Sequence, residues 1–173
     1  FFGTVYRNYM GIMFMGTSVL IAGSKILTSL LLADSYYSSW KYVPVLAIAM
    51  IFSAFSAFMG SVYFLEKRSI RSFVTASVGA LTNIILNFAL IPTFGAMGAA
   101  VATALSYMVA FTIRAIDSHK YLKFDLCIPR LVINTALMIA QTVLMLLDLA
   151  DPVFRILIQL AIVAIFAVYN GRE

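Results

Sequence analysis

Between Arg71 and Arg114 the chain passes through 42 consecutive residues without a charge, and between Lys41 and Glu66 through 24. A helix rises about 1.5 Å per residue, so roughly 20 apolar residues cross the hydrocarbon of a bilayer. The shorter gap is enough for one crossing. The longer one is enough for two, with a tight turn at Pro92-Thr93-Phe94-Gly95. Extending the same reasoning predicts spans at about 9–32, 43–65, 72–92, 95–116, 131–149 and 153–170. The expected fold is all-α: a polytopic transmembrane bundle of six helices, with 1–173 forming one transmembrane domain.

Composition agrees. With 63% of its 173 residues apolar and 11% charged, the chain is unlike a water-soluble, disordered or collagenous protein. Cys127 is the one cysteine, so no internal disulfide can form. The chain opens Phe1-Phe2-Gly3, without an initiator methionine or a cleavable leader, and reads as a piece of a longer protein.

The net charge of +5 reports sidedness in a membrane chain, and nucleic acid is not an expected partner. With six spans, Arg7, Lys67, Arg68, Arg71, Arg114, Lys120, Lys123, Arg130 and Arg172 fall on one side, which is then the cytoplasmic one. Lys41 and Arg155, with Asp34, Asp148 and Asp151, fall on the other. Both ends of the segment are expected to be cytoplasmic.

Helices in lipid associate through small residues and polar contacts, so these residues mark the packed faces. Ser53, Ala57 and Ser61, beside Ser56 and Gly60, form a small-residue strip on the second span. Thr75, Gly79, Asn83 and Asn87 stand at steps of four on the third. An unpaired amide in hydrocarbon costs about 2–7 kcal/mol, so these asparagines either bond to a neighbouring helix or line a polar cavity. Asn134 and Gln141 form a similar seam on the fifth span. Lys25 lies about seven residues, roughly 10 Å, from the outer end of the first span, on a face shared with Gly11, Met15, Ser18, Ala22 and Ser29. It either snorkels to the interface or lines a water-filled cavity as a cation for an anionic group. The candidate substrate contacts are accordingly Lys25, Ser18, Ser29, Asn83 and Asn87.

No convergent acids, ligand-spaced His or Cys pair, or phosphate-cradling glycine loop occurs, so no enzyme, metal or cofactor is expected. His119 reads as a solvated side chain of the basic loop from Arg114 to Arg130, and the spans carry no acid or histidine for a proton relay.

Residues 83 to 106, NIILNFALIPTFGAMGAAVATALS, resemble a signature region of the polysaccharide transporters. These are lipid-linked oligosaccharide flippases within the multidrug, oligosaccharidyl-lipid and polysaccharide exporter superfamily. Asn83, Asn87, Ile91-Pro92, Gly95, Gly98-Ala99-Ala100, Ala102-Thr103 and Ser106 carry the likeness, and the Glu66–Arg71 loop is similar to the family's as well. The resemblance implies the C-terminal lobe of a two-lobe transporter, partnered by an N-terminal lobe and by membrane lipid. Such a transporter moves an undecaprenyl-pyrophosphate-linked oligosaccharide across a bacterial plasma membrane by alternating access, for O-antigen or capsule export. On this reading Pro92, Gly95, Gly98, Thr103 and Ser106 are structural, and Lys25 would meet the pyrophosphate. The alternatives are a six-helix membrane scaffold without transport activity, a multidrug exporter lobe of the same superfamily, and a membrane glycosyl or acyl transferase.

Overall fold

The computed structural model describes residues 1–147 and 152–171, and every regular element among them is helical. Helix α1 covers Phe2–Ala22, α2 Ser24–Leu31, α3 Val43–Leu65, α4 Ser69–Ser118, α5 Ile128–Leu147 and α6 Pro152–Gly171, and a 3-10 helix at Asp34–Lys41 precedes α3. By length and composition α3, α4, α5 and α6 can each cross a bilayer, and α1 with α2 would form one further, broken span. The all-α class expected from the charge gaps holds, although the division into six helices is inexact. Asp148, Asp151 and Arg172, which carry part of the sidedness argument, lie outside the described residues.

Two departures explain the difference. The expected 9–32 span starts earlier and bends by 64° between α1 and α2. The bend falls at Gly23, whose φ of −85° and ψ of 0° stand away from regular helix in a residue with low helical propensity. The second departure is that α4 runs as one 50-residue element through the predicted corner. Gly95 nevertheless breaks it, with φ +56° and ψ −135°, a conformation open to glycine and strained for residues with a Cβ. The limbs 69–94 and 96–118 each suffice for a crossing. Pro92 lies three residues before the break and donates no backbone hydrogen bond. Gly98 allows the close return, because a Cβ there would collide with the Leu90 carbonyl group.

The chain divides into two compact units, residues 1–47 with 126–173, and residues 48–125. In the first, α1 presents Tyr6, Met10, Phe14, Ser18 and Ile21 inward at steps of three and four, the spacing of one helix face. Phe14 stacks on Phe166 of α6 at 6.2 Å between ring centres. Ile12, Val19, Ile26 and Leu30 face outward, as their positions on the helix predict for lipid contact. In the second unit Phe52 and Phe55 of α3 each lie 5.8 Å from the Phe111 ring, while Phe73, Leu81, Ile84 and Phe88 of α4 are exposed. Such large apolar side chains on an outer surface suit a hydrocarbon surround.

Candidate functional site: a polar cavity in the second unit

The steps-of-four stripe on the first limb of α4 faces the second limb. Arg114 Nε donates to Thr75 Oγ1 at 3.0 Å, and Asn83 Nδ2 donates to Ser106 Oγ at 3.2 Å. Between these bonds, a Cβ on Gly79 would come within 3.0 Å of Ala110 Cβ. The pairings advance by four residues on one limb while retreating by four on the other, which is the register of an antiparallel hairpin turning at Gly95. Asn87 Nδ2 donates to both the backbone carbonyl and Oδ1 of Asn83, each at 2.9 Å.

Helix α3 adds a third wall. Arg114 Nη1 donates to the Ser56 carbonyl at 3.0 Å and Nη2 to the Ser72 carbonyl at 3.4 Å, so one guanidinium ties α3 to both limbs of α4. Gly60 leaves it room, since a Cβ there would stand 3.0 Å from Nη1. These acceptors are neutral oxygens, which hydrogen-bond the cation without cancelling its charge.

Small side chains leave a cavity of about 440 Å³ beside this tie. Ser53, Ser56 and Ala57 border it from α3, Ala76, Ala80 and Asn83 from the first limb, and Thr103, Ser106 and Tyr107 from the second, with Arg114 also lining it. Thr103 and Ser106 hydroxyls donate to their own helix backbone, at Ala99 and Thr103 carbonyls, and keep acceptor capacity. Hydroxyls, a carboxamide and a guanidinium around one space can hydrogen-bond a hydroxyl-rich or anionic group.

The sequence candidates separate in space and chemistry. Asn83 borders the cavity, with motif residues Thr103 and Ser106. Asn87 faces a different, apolar groove with Ile84, Phe88 and Pro92. Asn83 thus joins the two limbs through Ser106 and also borders the space. In the first unit the face expected to unite Ser18, Lys25 and Ser29 is interrupted by the bend at Gly23. Ser18 Oγ donates to Gln141 Oε1 at 2.8 Å, and Gln141 Nε2 donates to the Ser18 carbonyl and to Gln159 Oε1. Ser29 is exposed and donates to the Ile26 carbonyl. Lys25 is half-buried, its Nζ 4.2 Å from the centre of the Trp40 ring. Asn134 and Asn170 bond reciprocally at 3.0 and 3.2 Å, as an interhelical seam requires.

Sequence reasoning placed Arg114 at the membrane boundary and missed its role as a tie. Mirroring the Thr75 stripe through the Gly95 corner lands on 115, 111 and 107, one residue beyond the observed partners Arg114, Ala110 and Ser106, so spacing points to the region and packing fixes the register. It also missed Asp117, which is buried at the end of α4. Tyr63 donates to its Oδ2 at 3.1 Å, and Lys120 and Arg71 approach Oδ1 at 3.4 and 3.8 Å.

Comparison of the chain with protein-family models, with curated proteins and with solved structures gives no match.

Proposed function

We propose that this chain is a membrane-embedded lobe of an exporter that carries a lipid-linked oligosaccharide from the inner to the outer leaflet of a bacterial plasma membrane by alternating access. The observation that carries this reading is the polar cavity of the second unit, set among helices whose outer surfaces are apolar. Such a cavity offers a sugar or phosphate head a hydrogen-bonding surround, while a hydrocarbon tail remains in lipid. The residues that resemble the transporter signature support it further. Gly95 and Gly98 make the corner that folds the two limbs together, and Asn83, Thr103 and Ser106 border the space between them. Cytoplasmic placement of both ends, and partnership with an N-terminal lobe, belong to the same proposal.

The test removes the gene from its own organism and follows surface polysaccharide together with the lipid-linked precursor. Export predicts loss of the surface polymer and accumulation of a precursor protected from an external glycosidase. The full-length protein should restore export, whereas Ala57→Phe, which fills the cavity, should not do so at matched protein level. A precursor that accumulates on the outer leaflet overturns the flipping step. Full export by Ala57→Phe overturns the cavity's role and favours a scaffold.

A further inference from the structure

The bend at Gly23 turns α2 out of the path that α1 sets. Measured from Tyr9, beyond Arg7 and Asn8, α1 rises about 20 Å to Ala22. Eight further residues in line would add about 12 Å of depth, but at 64° they add about 5 Å when α1 stands along the membrane normal. Helix α2 therefore runs closer to the membrane plane than to its normal. Lys25, roughly 10 Å inside on a straight span, comes within about 4 Å of the level of Leu31.

The side chains of α2 are arranged inside out. Ser24 and Thr28 are buried, and Thr28 Oγ1 donates to the Ser24 carbonyl at 2.8 Å, while Ile26 is 63% exposed and Leu30 and Leu31 are 76% exposed. A connection bathed in water would show the reverse. Val19 and Leu20 are also exposed just before the bend, so apolar surface runs on from α1 into α2. The 3-10 helix that packs against α2 has a different make-up. Tyr36 and Tyr37 are exposed there beside Asp34, Ser35 and Ser38, and Trp40 is turned inward under the Lys25 ammonium. Tyrosine, tryptophan and lysine each pair an apolar body with a polar tip, which suits the level of the headgroups.

Immersion in hydrocarbon would strand Asp34 and the serines, and immersion in water would expose the aliphatic face of α2. A boundary between the two media accommodates both. We propose that α2 and the 3-10 helix form an interfacial element, lying along the lipid boundary between α1 and α3. Ile26, Leu30 and Leu31 sit in the outermost hydrocarbon, and Asp34, Tyr36 and Tyr37 sit among the headgroups. The element needs only that the chain lie in a membrane, and it is independent of the export reading.

Spin labels on the full-length protein, freed of its other cysteines and reconstituted in phosphatidylcholine vesicles, test it. Labels go singly on Ile26→Cys, Leu27→Cys, Leu30→Cys, Leu31→Cys and Tyr36→Cys, with Val19→Cys as the deep reference. Collision with oxygen, which enters hydrocarbon, against a water-soluble nickel chelate gives each depth. All four α2 labels should be reached by oxygen at shallower depth than the reference, and the Tyr36→Cys label by the chelate. Within the pairs 26 and 30, and 27 and 31, each on one helix face, depth should change by about 3 Å or less, against about 6 Å on a straight span. A 6 Å change overturns the proposal. Chelate access at 30 and 31 marks a solvated loop, and exclusion of both reagents marks a face covered by protein, a second copy included; either overturns it as well. The labelled positions are exposed, and if one variant fails to fold the other pair still gives the slope.

Discussion

In the first unit Gln141 is fully buried and spends its amide on Ser18 and Gln159, while in the second Asn83 makes a comparable interhelical bond at the edge of an open space. Both are carboxamides on long apolar helices, and both bridge to a hydroxyl on a neighbour. What differs is the size of the side chains around them. Met10, Phe14, Met138, Met145 and Phe166 fill the first unit, whereas the space beside Asn83 is lined mostly by serines, alanines, a threonine and a glycine, with Tyr107 and Arg114 the two large side chains on it. A polar group closes a gap when bulky neighbours complete the packing, and borders one when they are too small to reach across.

The widest contrast should appear in chemical access. In a Cys127→Ser background, a small hydrophilic thiol reagent should modify Ser53→Cys readily and leave Ser18→Cys unmodified, as read by intact-mass measurement. Comparable labelling of both would mean that the seam is as open as the cavity.

Stability should separate them next. Gln141→Leu strands the Ser18 hydroxyl and the Gln159 carbonyl oxygen in a dry interior and should cost about 2 kcal/mol. Asn83→Leu should cost less than about 1 kcal/mol, because Ser106 still donates to Thr103, Asn87 keeps the residue-83 backbone carbonyl and water can enter the cavity. Reversible unfolding in mixed detergent measures both. If the two losses prove equal, the distinction between sealed and open polar contacts collapses.

The smallest effect concerns Lys25. Its place over Trp40 at a half-buried site is worth about 0.5–1 kcal/mol, so Lys25→Ala should lose that much stability and Lys25→Arg should retain it. If Lys25→Ala abolished export without lowering stability, a substrate contact rather than stacking would govern this residue.

Much of this was legible in the chain itself. The absence of charge from 72 to 113 dictates apolar helices, because only a backbone bonded within its own segment tolerates hydrocarbon. Pro92 and Gly95 mark the corner for reasons internal to their own geometry, and the stripe from Thr75 to Asn87 shows which face packs. Tertiary structure alone decided which polar residues meet. A bend at Gly23 parts Ser18 from Lys25 and Ser29 although helical spacing aligns them, and Arg114 becomes a tie because the hairpin returns it to Thr75 and Ser56. Periodicity describes one helix, whereas a cavity is the volume that several fail to fill, and that shortfall exists only once they are packed.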